Sequence, residues 1–257
     1  MNPISSSYYL ALSCAYAAGL LGWWMVNSFK PHIWKKGFSY QFTHPWRETL
    51  WALAASLATL ALGQLYSLHL LLPEISAIKW PIANSINQLI IFSPFIFLLF
   101  IRRHPLKTAW LPADYILARL LTGLVLAFFC VVLFILIYGS SKTLLEILVN
   151  IYHPKNLGYA VQVFLEDFVI AILFVRLRSA VGQKWFLAAI ITVAFLFSFA
   201  HYPMKLSQGL SFLVATREII MDGLLVSMVV YVVQRSGDIL WFWCIHFAMD
   251  MLQFYAR

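Results

Sequence analysis

Residues able to do acid–base chemistry stand at three places in the last hundred residues, inside otherwise apolar sequence. The acidic pair Glu166-Asp167 comes first, His201 ends the run F-S-F-A-H, and His246 and Asp250 enclose the run H-F-A-M-D. Carboxylates and imidazoles within membrane-spanning sequence are costly to bury and usually functional. A buried carboxylate can act as a general base toward water, and histidines can position that water directly or through a metal. These residue types indicate a hydrolase.

The spacing of these residues predicts how helices would present them. Adjacent positions on a helix point about 100° apart, so one carboxylate of Glu166-Asp167 can face a cavity while the other meets a neighbouring helix. His246 and Asp250 are four residues apart and therefore share a helix face, where the carboxylate can accept a hydrogen bond from the imidazole. Taken singly, each motif also has a structural interpretation: an inter-helix ion pair, a His-Asp packing pair, or an interfacial histidine at position 201.

The composition indicates the elements that carry these residues. Hydrophobic residues make up 62% of the 257 residues and charged residues only 11%, and the mean hydropathy is +0.82. Such values are typical of a polytopic membrane protein. We expect an all-α fold, a bundle of about eight transmembrane helices in one membrane domain covering residues 1–257, with residues 1–150 as helical spans ahead of the motif-bearing part. The predicted spans are 8–27, 50–73, 85–101, 115–138, 157–177, 184–203, 211–234 and 238–256, with a short interfacial helix within 140–153.

The net charge of +8 has a topological explanation. Lys and Arg residues collect in alternate loops rather than along one helix face, which favours positive-inside topology over a nucleic-acid partner. These loops lie near residues 30–47, 102–107 and 176–184, so both termini are predicted to lie outside. We expect a multi-pass integral membrane protein, in the plasma membrane if the host is bacterial. Most tryptophans lie near the ends of the predicted spans, which is typical of interfacial belts. The three cysteines are isolated from one another in apolar sequence, and we interpret them as core residues.

Taken in order, the three motifs resemble those of the CPBP intramembrane proteases, a family that includes the endopeptidases cutting prenylated CAAX proteins and many bacterial relatives. The family pattern is EExxxR, then FxxxH, then HxxxN or HxxxD. In this chain Glu166-Asp167 is similar to the first motif, Phe197-xxx-His201 to the second and His246-xxx-Asp250 to the third. The resemblance covers roughly residues 158–254.

This resemblance implies an intramembrane endopeptidase that hydrolyses a peptide bond of a membrane-associated protein or peptide with water. Glu166 would be the general base, supported by Asp167. His201 and His246 would position the water, and Asp250 would orient His246 or stabilise the oxyanion. If the reaction depends on a metal, Glu166, His201 and His246 would bind Zn²⁺; a metal-free glutamic mechanism is the alternative.

Two positions depart from the family pattern. Asp167 replaces the second glutamate, and the arginine of the first motif falls at Ala171. Arg176 would lie on the opposite side of the helix. A buried carboxylate without a cation either neutralises or finds another partner, and we expect Arg217 or Arg119 to supply one.

Two other functions compete with proteolysis. A non-catalytic scaffold or bacteriocin-immunity protein could keep the same pocket, and the missing motif arginine favours it. A proton-coupled carrier could also use buried carboxylates and histidines, but the chain lacks the internal repeats common in transporters. A second charged cluster, Arg217, Glu218 and Asp222, has no role in the family pattern and is interpreted as a helix–helix ion pair.

Overall fold

The computed structural model describes residues 6–29, 40–68, 70 and 81–255. Over these residues the regular structure is helical without strands, which confirms the predicted all-α bundle. The α-helices are α1 (Ser6–Phe29), α2 (Pro45–Ser67), α3 (Ile82–Ile91), α4 (Ser93–Arg102), α5 (Ile116–Tyr138), α6 (Leu144–Ile151), α7 (Leu157–Val181), α8 (Phe186–Ala200), α9 (Tyr202–Ser207), α10 (Phe212–Ser236) and α11 (Leu240–Tyr255).

Helices occupy all eight predicted spans, but the count of eight membrane crossings is not confirmed. Among the described residues, four helical segments are long and apolar enough to cross a membrane: Ser7–Phe29, Pro45–Ser67, Ile116–Tyr138 and Gln183–Ser207. A fifth crossing results if α3 and α4, which are bent by 55°, form one broken span. The end of the predicted span 50–73 and the basic residues of 30–39 lie outside the described residues, so the orientation stays a prediction.

The predicted interfacial helix within 140–153 is present as α6. Thr143 and Glu146 form a capping box at its start: the Thr143 N–H donates to Glu146 Oε2 over 2.8 Å, and Thr143 Oγ1 accepts from the Glu146 N–H. These bonds satisfy backbone donors that a helix leaves unpaired, and they hold the pKa of the exposed Glu146 carboxyl below its ordinary value.

Helix α7 lies at the centre of the bundle, with α2, α3, α8 and α11 packed around it. Most of its residues from Val163 to Arg176 are buried, so its polar side chains meet other helices rather than lipid. The fold therefore places the acidic pair of α7 where neighbouring helices can reach both carboxylates.

Helix α11 is positioned by an unusually close backbone contact with α5. A Cβ atom added at Gly123 would overlap the Trp241 carbonyl oxygen and would lie 2.8 Å from the Trp241 Cα. Small residues allow such approach between membrane helices, where packing rather than water exclusion drives association. Gly123 therefore fixes the depth and distance at which α11 presents its histidine.

A buried ion pair fixes the start of α11. Arg119 Nη1 donates to Asp238 Oδ2 over 2.6 Å and Nη2 donates to Asp114 Oδ1 over 3.0 Å. Asp238 Oδ1 in turn accepts from the Leu240 N–H. The expectation that Arg119 compensates the acidic pair of α7 is wrong, because the fully buried Asp238 takes its charge instead.

Substitution Gly123→Ala is predicted to destabilise the bundle by about 1–3 kcal/mol, the usual range for overpacking, because its methyl group would overlap the α11 backbone. Gly63→Ala is the matched control, since its Cβ would meet Ile91 at an ordinary 3.8 Å. Thermal unfolding in detergent measures both. Equal melting temperatures for the two variants would contradict the close α5–α11 contact.

Candidate active site

A cavity of about 650 Å³ opens between α1, α7, α8, α10 and α11. Its lining includes all five residues that the sequence singles out: Glu166, Asp167, His201, His246 and Asp250. Three elements far apart in sequence, α7, the junction of α8 and α9, and α11, thus supply one polar site inside an apolar bundle.

The two carboxylates of α7 diverge, as their adjacent positions predict. Glu166 is 7% exposed, and its Oε1 accepts a hydrogen bond of 2.9 Å from Gln162 Nε2 one turn earlier. Asp167 is 3% exposed, and its Oδ1 lies 2.9 Å from His246 Nδ1 on α11. Glu166 therefore has its hydrogen bond within α7, while Asp167 connects α7 to α11.

The contact with Asp167 determines how His246 is oriented. An ionised carboxylate can only accept a hydrogen bond, so the His246 Nδ1–H donates to Asp167. The other ring nitrogen, Nε2, is on the side of Asp250, whose Oδ1 lies 3.9 Å away. From the sequence we expected Asp250 to orient His246 or to stabilise the oxyanion, and Asp167 to support Glu166. In the structure the carboxylate within hydrogen-bond distance of His246 is that of Asp167.

His201 occupies the break between α8 and α9. Its Nδ1 lies 3.1 Å from the Phe197 carbonyl oxygen, and the Phe197 ring packs on the imidazole with centroids 5.0 Å apart. Because a carbonyl only accepts, Nδ1 carries the proton and Nε2 remains as an acceptor. Phe197 of the FxxxH motif therefore holds His201 in place through both its carbonyl oxygen and its ring.

Glu166, His246 and Asp250 form the group that best matches a metal site among the described residues. One ligand atom from each lies within 4.8 Å of the other two. This set differs from the expected one, because Asp250 takes the place of His201. One imidazole nitrogen and two carboxylate oxygens are donor atoms that would suit zinc, and a carboxylate such as Asp167 on the other imidazole nitrogen is a common support for a ligating histidine.

Electrostatic compensation of the acidic pair comes from histidines. Ala171, where the family has arginine, is fully buried, and the charged partner of Asp167 is the His246 imidazole. Arg176 is buried over the Phe42 ring and donates to the Ile172 carbonyl within its own helix. Arg217, the other expected partner, is not among the residues that line the cavity, and its role as a partner stays a prediction. The positively charged group observed next to Asp167 is the imidazole of His246.

Several residues of the site were not predicted from the sequence. Tyr9 and Tyr16 of α1 line the cavity, as do Gln162 and Ser198. The tyrosines are seven residues apart in an apolar span and so share a helix face, and Gln162 precedes Glu166 by one turn. Both spacings are visible in the sequence and could have indicated these residues.

Comparison with known proteins covers the segment that contains these motifs. Residues 156–252 match the family model described as type II CAAX prenyl endopeptidase Rce1-like. This segment is similar to that family, and we name residues 156–252 the Rce1-like segment for this similarity. The match agrees with the CPBP resemblance and contains all five predicted site residues, whereas residues 1–155, including α1, lie outside it. Neither curated proteins nor solved structures give a match to the chain.

Substitution Asp167→Asn in the Rce1-like segment is predicted to lower the rate of substrate cleavage about 10–100-fold, because the amide no longer offers an ionised acceptor to the His246 Nδ1–H. Glu146→Gln is the control, since it removes a carboxylate from α6, outside the cavity lining, and should leave the rate unchanged. Cleavage is followed on equal amounts of folded protein in lipid. A wild-type rate for Asp167→Asn would contradict the orienting role.

Proposed function

We propose that this protein is an intramembrane endopeptidase that hydrolyses a peptide bond of a membrane-associated protein or peptide. The observation that carries the proposal is the convergence of Glu166, His246 and Asp250 in a cavity inside an apolar bundle, on a segment that matches the Rce1-like endopeptidases. The apolar helices provide the membrane context in which such a substrate is reached.

In the proposed reaction Glu166 activates water. Its carboxylate accepts a proton from a water held by the Nε2 atoms of His201 and His246, which are available because each Nδ1 is engaged elsewhere. The water oxygen bonds to the substrate carbonyl carbon, the C–N bond breaks, and the proton passes from Glu166 to the departing amine. Asp250, at the opposite side of His246, supports the charge that develops on the imidazole.

A covalent nucleophile is not favoured by the cavity. Ser198 lines it, but within the described part of the chain its Oγ has no hydrogen-bond partner and thus no base to activate it. Cys130 and Cys244 are buried with their Sγ atoms on backbone carbonyls. Direct attack by water accounts for the residues present.

The same residues could also hold Zn²⁺. Bound to Glu166, His246 and Asp250, the ion would polarise the substrate carbonyl and acidify a water. Glu166 cannot be a ligand and a free base at once, so the metal-dependent and glutamic forms give it different roles. Elemental analysis and a cleavage assay on purified protein separate the two forms. Zinc that is present in the wild type and lost in Asp250→Asn supports the metal-dependent form, whereas cleavage by zinc-free protein supports the glutamic form, in which Glu166 is a free base.

A non-catalytic scaffold is the second candidate function. Its support is the buried Ala171 in place of the motif arginine, which leaves the acidic pair without the family's cation. A scaffold would retain the cavity to bind a membrane peptide without cutting it.

Peptide ends in membranes separate these functions. Cells making the wild-type protein should show new termini that disappear in cells making Glu166→Gln or His246→Ala at equal abundance, because each substitution removes a group that acts on the water. Glu146→Gln should keep them. Identical terminal profiles, together with a deletion phenotype that Glu166→Gln still rescues, would replace the endopeptidase with the scaffold.

A further inference from the structure

Helix α1 runs antiparallel to α11 beside the cavity. The Trp23 ring of α1 stacks on the Trp241 ring of α11 with centroids 5.1 Å apart. One turn earlier on α1, a Cβ atom added at Gly19 would lie 3.0 Å from Ile245 Cδ1, one turn later on α11. Contacts that step backward along one helix and forward along the other define the register between the two helices.

This register gives the level of Tyr16, which lines the cavity. Tyr16 comes three residues before Gly19, so it lies about 4.5 Å further along α1, toward the end of α11. Three residues beyond Ile245, α11 has reached the turn from His246 to Asp250. Helix α1 therefore presents a tyrosine at the level of two proposed catalytic residues.

The contacts of Tyr16 agree with this placement. Its ring packs against Phe242 with centroids 6.1 Å apart, and Phe242 packs in turn against the His246 imidazole at 5.5 Å. The phenol also interacts electrostatically with the carboxylates of Asp250 and Asp167. A residue from outside the Rce1-like segment thus adjoins the acidic groups of the site.

The hydroxyl of Tyr16 is available to a bound molecule. The residue is only 4% exposed, and within the described ranges its hydroxyl forms no hydrogen bond. Buried tyrosines usually pair this group, as Tyr9 does with Asp222 two turns earlier on the same helix face. Because buried polar groups are normally paired, the position is suited to an acceptor atom supplied by a ligand.

The proposed reaction needs a hydrogen-bond donor at this place. When the water oxygen bonds to the substrate carbonyl carbon, negative charge develops on the carbonyl oxygen. The carboxylates of Glu166 and Asp250 can only accept hydrogen bonds when they are ionised, and His201 and His246 hold the water through Nε2. A phenol, by contrast, has a proton to donate at neutral pH.

We propose that Tyr16 is a further catalytic residue, whose hydroxyl donates a hydrogen bond to the carbonyl oxygen of the scissile peptide bond and stabilises the oxyanion. The inference rests on the proposed endopeptidase function. The electron pair of the C=O bond moves onto the oxygen when water attacks and returns when the C–N bond breaks, while the phenol keeps its proton throughout. Because the contact strengthens as charge develops, it favours the transition state over the bound substrate.

Substitution Tyr16→Phe tests this role, because it removes the hydroxyl and keeps the ring on Phe242. On a membrane substrate identified from its new peptide ends, kcat should fall about 100-fold, the size expected for loss of one oxyanion donor, and KM should change by less than about threefold. Tyr138→Phe is the matched control, since it removes a hydroxyl from an aromatic cluster outside the cavity lining and should keep the wild-type kcat. Thermal unfolding verifies that both variants are folded. An unchanged kcat for Tyr16→Phe overturns the proposal.

Binding of a transition-state analogue tests the contact without turnover. The probes are Leu/Ala transmembrane peptides in lipid nanodiscs, in which one backbone amide, scanned along the peptide, is replaced by a phosphinate. At one position the wild-type protein should bind the phosphinate peptide about 100-fold more tightly than the unmodified peptide. Tyr16→Phe should lose most of this preference, and Tyr138→Phe should retain it. Loss of the preference in Ser198→Ala instead of Tyr16→Phe assigns the contact to the serine and overturns the proposal.

The two assays distinguish failure of the Tyr16 role from failure of the proposed function. Cleavage by wild-type protein at a rate that Tyr16→Phe matches removes the role of Tyr16 and keeps the endopeptidase. A phosphinate preference that depends on Tyr16, without cleavage by the wild type, keeps the contact and removes the endopeptidase. Equal binding of phosphinate and unmodified peptides at every position removes the contact.

Discussion

The hydrogen bond between His246 and Asp167 is the interaction on which the site depends. It joins α7 to α11 and provides a partner for a carboxylate buried in an apolar bundle, where an unpaired charge would be strongly destabilising. The same bond occupies one nitrogen of the imidazole and leaves the other available to the cavity. One nitrogen of the ring therefore connects two helices, while the other is available for the proposed reaction. The histidine also compensates the carboxylate at a site where the family's motif arginine is replaced by Ala171.

The surrounding helices make that hydrogen bond possible. Helix α11 reaches the correct depth because Gly123 lets its backbone contact α5 and because Arg119 holds Asp238 at its start. These anchors come from helix α5, which lies outside the Rce1-like segment, as do Tyr9 and Tyr16 of α1 in the cavity wall. The first half of the chain thus contributes to the site although the family motifs are confined to the second half.

Sequence patterns predicted the helices and the residues that converge, but not their partners. Hydropathy locates apolar segments without showing which side of a helix meets lipid. Trp23 and Trp241 lie near the ends of predicted spans, as tryptophans of interfacial belts do, but the structure stacks them on each other in the core. A spacing of four residues suggested Asp250 as the partner of His246. The rotation of α11 against α7 selects Asp167, and such rotations depend on tertiary packing that local patterns do not encode.

Single-turnover cleavage by purified protein in lipid distinguishes direct attack by water activated at Glu166 from covalent catalysis. With one membrane substrate in H₂¹⁸O, direct attack should give one ¹⁸O atom in the new carboxyl terminus, no enzyme species of added mass during the turnover, and no cleavage by folded Glu166→Gln. Accumulation of an acyl-enzyme on a serine or cysteine, or undiminished cleavage by Glu166→Gln, would contradict it.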